Sequence, residues 1–178
     1  MDKIFIPLTL GLLLITSPLL AQKQELPPLQ TVPKVDLNRY LGTWYEIATI
    51  PQRFQKGCTA VSATYTLRPD GKIKVLNECR KDSLAGKYKA AKGKAWVVDT
   101  LTNAKLKVQF FWPFSGAYWI IELDSNYQYA VVGHPGRKYL WILSRSRKMD
   151  EPLYNDLMVR IRNHGYDLSG IVKTPQPE

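Results

Sequence analysis

Apolar and polar residues alternate with period two along most of the chain, the spacing of a strand with one face buried. Val61, Ala63, Tyr65 and Leu67 alternate with Ser62, Thr64 and Thr66. Arg68-Pro69-Asp70-Gly71 follows, a strong turn sequence. Ile73, Val75 and Asn77 then alternate with Lys72, Lys74 and Leu76. Two such runs joined by such a turn make a β-hairpin. Ala104, Leu106, Val108 and Phe110 alternate with Lys105, Lys107 and Gln109, which predicts a half-buried strand with a wet, basic face. Further strands are expected at about 42–49, 89–98, 117–123, 127–133 and 138–145, which brings the count to eight. No helical period appears before residue 150. Asp150 then offers an N-cap, with Glu151 and Pro152 in the first turn. Leu153, Leu157, Ile161 and either Val159 or Met158 form a helical stripe, and Gly165 supplies the stop.

Eight antiparallel strands followed by one helix point to an all-β fold: an eight-stranded up-and-down β-barrel with the C-terminal helix packed outside. Closure removes the unpaired edges that eight strands would otherwise expose. A barrel of this size has an interior about large enough for one small ligand.

The first residues read differently. Ile4 to Ala21 is a nearly unbroken apolar run behind Met1-Asp2-Lys3. It is shorter than the about 20 apolar residues of a spanning helix. It holds Pro7 and Pro18 and gives way to Gln22-Lys23-Gln24-Glu25. That order predicts a secretory signal peptide over residues 1–21, cleaved after Ala21; the alternative is an uncleaved anchor. No cysteine lies near the cleavage point, so lipid attachment there is not supported. Residues 22–36, with Pro27, Pro28 and Pro33, read as an extended arm, and residues 37–174 as the barrel and helix. The chain carries 25 Lys+Arg against 15 Asp+Glu, a net charge of +10. Loss of residues 1–21 removes Asp2 and Lys3 together and leaves that charge unchanged. An exported protein meets anionic membranes more readily than nucleic acid, so the charge points to a lipid surface.

Three segments carry a family resemblance. Asn38-Arg39-Tyr40-Leu41-Gly42-Thr43-Trp44-Tyr45-Glu46-Ile47-Ala48 resembles the first signature of the lipocalins, Gly-x-Trp on the first strand. Tyr129-Ala130-Val131-Val132-Gly133 resembles the second, and Leu140-Trp141-Ile142-Leu143-Ser144-Arg145 the third, ending in its arginine. Phe110-Phe111-Trp112-Pro113-Phe114 and Gly116-Ala117-Tyr118-Trp119 are similar to the branch that holds the bacterial outer-membrane lipocalins and apolipoprotein D. The resemblance runs from about Val35 to the helix. It implies a carrier or store of a small hydrophobic ligand; in the bacterial branch this means a fatty acid or lysophospholipid in the cell envelope, at the periplasm or outer membrane.

Strand counting places the candidate residues. Trp44 begins strand one and Arg145 ends strand eight, so both lie at one end, where with Gly42 they would close the barrel by an Arg–Trp stack. Loops 50–58, 80–88, 111–116 and 133–138 lie at the other, open end. They hold Arg53, Lys56, Arg80, Lys81, Lys87, Arg137 and Lys138 against Asp82, together with Phe111, Trp112, Pro113 and Phe114. Such a basic, aromatic rim suits an anionic headgroup or membrane surface; the plainer reading is a solubilising charge excess with self-packed aromatics. Tyr65, Asn77, Val108, Phe110, Trp119, Ile121, Tyr129 and Trp141 are the candidate ligand-lining residues, taken by parity from the apolar face of each strand. On strands six and seven both faces are apolar.

Cys58 and Cys79 both fall near the open end, and export favours a disulfide between them. A regular hairpin would set position 58 opposite position 82, so bridging needs a bulge or an irregular start at Gly57. The alternative leaves Cys79 as a free inward thiol, the nucleophile of an isomerase-like pocket enzyme. No Gly-x-Ser-x-Gly or His-Glu-x-x-His pattern is present, no Cys/His cluster has zinc spacing, and no cofactor motif appears. His134 and His164 read as solvent-exposed bystanders. The aromatics follow a barrel pattern and no RNP motif occurs, so nucleic acid is not the expected partner.

Overall fold

The computed structural model describes residues 26–178, so the expected signal peptide lies outside the described residues. Eight strands follow one another: β1 Gly42–Thr49, β2 Cys58–Leu67, β3 Ile73–Lys81, β4 Tyr88–Val97, β5 Lys105–Phe111, β6 Phe114–Leu123, β7 Tyr129–Gly133 and β8 Leu140–Ser144. Each pairs antiparallel with the next, and β1 pairs with both β2 and β8, which closes the barrel. Helix α2, Glu151–Asn163, lies outside it. A one-turn helix α1, Leu37–Tyr40, precedes β1 and is too short to leave a periodic signal.

Local chemistry sets these boundaries. Gly71 takes a positive φ of +75° in the β2–β3 turn, where Asp70 Oδ1 accepts from the Lys72 backbone N–H at 3.1 Å. Asp150 caps α2 by accepting from the Leu153 N–H at 3.3 Å. Tyr154, Leu157 and Ile161 form the buried stripe of α2; Met158 joins it and Val159 faces solvent.

Two apolar cores result, one on each side of the barrel wall. Trp44, Tyr65, Val75, Leu106, Ile120, Val132 and Leu143 fill the inside. Ile121, Val131, Leu140 and Ile142 face outward and pack under α2. This explains why β6 and β7 are apolar on both faces: one face meets the lumen and the other meets a helix. Three expected lining residues are corrected by it. Trp119, Ile121 and Tyr129 lie in the outer core beneath α2, not in the lumen. The Trp119 ring also carries the Lys105 ammonium 4.6 Å from its centroid.

The arm docks along the barrel, with Leu29 in the outer core and Val35 in the inner one. At the other terminus, a short strand β9, Val172–Lys173, adds to β1. β1 and β2 pair directly only from Gly42 to Tyr45. Nearer the open end the tail bridges them. Thr174 N–H donates to Ile47 O at 2.9 Å, and Ala60 N–H donates to Pro175 O at 2.7 Å. Gln176 Nε2 donates to Glu46 O and Val61 O at 2.9 and 2.8 Å. The barrel seam is thus stitched by residues 172–176.

Candidate ligand-binding site

The lumen is built upward from a sealed floor. Gly42, at φ +91°, turns the chain into β1 so that Trp44 points inward, fully buried. The Arg145 guanidinium lies 3.8 Å from the Trp44 ring centroid. It donates to the backbone oxygens of Arg39, Leu41 and Thr43, each at 2.8 Å, and to Tyr127 O at 3.3 Å. A Cβ on Gly42 would sit 3.3 Å from Arg145 Nη1, so the position leaves little room for a side chain. Above this lid lies a chain of phenols. Tyr118 Oη is 2.8 Å from Tyr40 Oη and 2.9 Å from Tyr65 Oη. Burial pushes the Tyr65 hydroxyl up to about 12, and raises Tyr40 and Tyr118 well above the usual phenol range. All three are therefore neutral hydrogen-bonding groups near neutral pH.

The wall above the floor is different. Registers Ala63↔Asn77, Asn77↔Ala91 and Val108↔Gly116 set these residues on the inner face, and each retains accessible surface. Phe110 and Trp141 likewise face in and are only half-buried. Asn77 Oδ1 is buried without a partner. Of the expected lining residues, Tyr65, Asn77, Val108, Phe110 and Trp141 share the lumen. Tyr40, Glu46 and Tyr118 also belong to the inner face, and the sequence reading missed them. Counting two positions on from Trp44 would have found Glu46. Tyr118 sits beside Trp119, and the pattern could not choose between adjacent aromatics.

The mouth is ringed by exposed apolar side chains: Phe54, Leu84, Phe111, Trp112, Phe114 and Tyr139. Trp112 is 86% exposed and Phe111 and Phe114 are each 77% exposed, which excludes the self-packed reading of this loop. Arg53, Lys56, Lys87 and Lys138 are exposed among them. Two other expected rim cations are spent on structure. Arg137 donates to His164 O and Pro27 O, both at 2.7 Å, and so ties arm and helix to the barrel. Lys81 Nζ donates to Lys56 O at 2.5 Å and lies 3.4 Å from Asp82.

Cys58 and Cys79 form a disulfide, with Cα atoms 5.5 Å apart. The register explains how. A bulge between Thr59 and Ser62, with Ala60 at φ +49°, sets Cys58 opposite Lys81 instead of position 82. A one-residue shift moves a side chain to the other face, and here it brings Cys58 onto the face of Cys79. The bulge lies at Ala60, not at Gly57. With its sulfur bonded, Cys79 is not the free nucleophile that the pocket-enzyme alternative requires. The histidines are also more engaged than expected. His164 is half-buried, with Nε2 2.7 Å from Glu122 Oε1. His134 Nδ1 accepts from Gly136 N–H, and burial, aided by Lys138, lowers its pKa.

Residues 35–176 match the lipocalin-like domain. The chain belongs to the lipocalin family. It is 42% identical over 168 residues to temperature-induced lipocalin-1 of Arabidopsis thaliana, covering 89% of this chain and 87% of that one. It is 42% identical over 142 residues to the outer membrane lipoprotein Blc of Escherichia coli K12, covering 80% of each. Among solved structures, insecticyanin from the tobacco hornworm Manduca sexta superposes with a TM-score of 0.69. That match covers 86% of this lipocalin and 87% of insecticyanin at 20% identity, a likeness of fold.

Proposed function

We propose that this lipocalin binds and carries or stores a small hydrophobic ligand, a fatty acid or lysophospholipid, in its barrel in the cell envelope. One observation carries the reading: inward-facing Asn77, Ala91, Val108, Phe110 and Trp141 keep accessible surface above a floor sealed by Trp44, Arg145 and the tyrosines. A lumen of that kind is mostly apolar with a few polar anchors, as small-molecule sites are. Asn77 and Tyr118 are the polar groups that would orient the ligand. Likeness to a relative named an outer membrane lipoprotein supports the envelope reading. The exposed aromatics and cations at the mouth support peripheral contact with an anionic membrane, since an apolar surface inserts at the headgroup boundary while cations meet the negative surface potential.

The test is native mass spectrometry of protein purified from its own host, followed by lipid extraction. A co-purifying single-chain acyl lipid is expected. A barrel that arrives empty and takes up no fatty acid or lysophospholipid from solution overturns the reading.

A further inference from the structure

The wet, basic face of β5 continues across two more strands. Ile73, Val75, Ala95 and Leu106 are buried in the inner core, so the residues that alternate with them point out of the barrel. On β3, β4 and β5 those outward positions hold Lys74, Lys92, Lys94 and Lys107. Lys74, Lys92 and Lys107 are exposed and Lys94 is half-buried. Lys74 and Lys94 are direct cross-strand partners, and Lys107 stands opposite Trp96. Among the described residues, none of the four lysines pairs with an acidic side chain. The acids on and beside these strands are engaged elsewhere. Glu78 accepts from Tyr88 Oη at 2.6 Å, Asp70 pairs with Arg68 and Lys72, and Asp99 Oδ2 accepts from Thr102 Oγ1 at 2.6 Å.

Charge on the other side of the barrel is arranged differently. There Arg160 meets Asp156 and Glu122, at 2.6 and 3.6 Å, and Lys173 meets Glu151. Solubility needs surface charge, but it does not need like charges directly opposite one another, which destabilise a sheet. An acid at position 74 would keep the surface soluble and add a cross-strand pair with Lys94. The lysines are therefore held against the interest of the fold, as they are on a surface that meets an anion. Two features say which anion. Half-buried Leu76 and Trp96 lie among the lysines on the same face, and Trp favours the headgroup level of a bilayer. β5 also runs from Lys107 into Phe111, and the exposed side chains of Trp112 and Phe114 follow at once. Lysine face and aromatic loop are thus continuous.

We infer that the outward face of β3–β5 is a docking surface for an anionic membrane. The barrel rests on this side, tilted onto the loop of Phe111, Trp112 and Phe114, with α2 turned away from the lipid. The ammonium groups meet the lipid phosphates while the loop enters the headgroup boundary. The inference rests on the reading of peripheral membrane contact and moves its main electrostatic footprint from the rim to the side of the barrel.

The experiment sediments the whole chain with phosphatidylcholine vesicles, with and without phosphatidylglycerol. Lys74→Ser, Lys92→Ser, Lys94→Ser and Lys107→Ser together should weaken binding to the anionic vesicles about tenfold at low salt, and more than the serine substitutions of Arg53, Lys56, Lys87 and Lys138 do. Lys74→Glu alone should raise Tm, by pairing with Lys94, and still weaken vesicle binding; a purely structural role would not move the two in opposite directions. A fluorophore on Gln109→Cys should be quenched by brominated lipid, and one on Val159→Cys, exposed on α2, should not. Wild-type affinity in the four-lysine variant overturns the lysine face. If Phe111→Ser, Trp112→Ser and Phe114→Ser together have meanwhile abolished binding, contact through the mouth stands without it. If the wild-type chain does not sediment with anionic vesicles, both readings fall. Lysine-dependent capture of soluble dextran sulfate without vesicle binding also overturns the membrane surface and makes this face a site for a soluble polyanion.

Discussion

At the floor of the barrel, Arg145 spends its guanidinium on five backbone oxygens and the Trp44 ring, and the three tyrosine hydroxyls meet one another. In the wall and at the mouth, Asn77 Oδ1 and both polar atoms of Gln52 have no partner, β1 and β2 part company, and large apolar side chains stand in solvent. Both ends belong to the same eight strands, so the difference comes from what the connecting segments bring. The floor receives α1, the arm and the arginine that follows β8. The mouth receives the β1–β2 connection, residues 50–57, and a two-residue strand. Stability is concentrated where polar groups are satisfied, and binding capacity where they are left open, the usual trade between the two.

The contrast breaks most sharply at Trp44. Trp44→Ala removes a fully buried ring and leaves Arg145 without its stack, and a loss of about 3–5 kcal/mol is expected in urea unfolding. A loss below about 1 kcal/mol would mean that the floor is not the stable end. The disulfide comes next. It joins residues 21 apart in the chain, and replacing both cysteines by alanine should cost about 3 kcal/mol, read from the same urea curves. Because Cys58 and Cys79 staple the mouth half of the β2–β3 hairpin, hydrogen exchange should rise near residues 58–61 and 79–82 and stay unchanged around Trp44.

How much of this was legible in the sequence follows the same division. The Arg68–Gly71 turn, the Asp150 cap and the positions of Trp44 and Arg145 were readable, because each is a local signal or a counted strand end. Parity failed on β6 and β7, where Ile120 and Ile121, or Val131 and Val132, are equally apolar. The pattern records that both faces are buried but not which one faces the helix. The bulge at Ala60 carries no glycine or proline to announce it, yet it decides which face Cys58 occupies. β9 is too short for any periodicity, so the seam that it stitches has no signature along the chain. Arg137 looked like a rim cation because sequence spacing cannot show that a carbonyl of α2's C-cap lies 2.7 Å away.

A smaller effect tests the seam by pH. Glu46 is held above its ordinary carboxyl value chiefly by burial, offset in part by donation from Thr174 and Gln55. Between its unfolded and folded values the native state keeps a proton that the unfolded chain has lost. The resulting stability is complete below the unfolded value and is lost as pH rises through the folded one. Glu46→Gln removes this charge and retains an acceptor for Thr174. It should therefore be more stable than wild type at pH 7, with the advantage shrinking on acidification, as thermal melts across that range will show. A variant that is less stable at pH 7 would mean that the ionised carboxylate holds the tail in place.

The smallest effect on stability belongs to the mouth, and there the comparison is sharpest. Phe111→Ser, Trp112→Ser and Phe114→Ser together alter side chains that are each at least 77% exposed, so the melting transition should move by no more than about 0.5 kcal/mol. Sedimentation with anionic vesicles should nevertheless fall several-fold, because the lost area is what would enter the headgroup boundary. Substituting Arg53, Lys56, Lys87 and Lys138 by serine should weaken the same sedimentation at low salt and have little effect at high salt, where screening has already removed their contribution. If vesicle binding survives both sets of changes, the mouth is not a membrane surface, and its exposed aromatics must be explained by what enters the barrel. If it is lost in both while fatty acid binding is kept, docking and ligand uptake are separate properties of the open end.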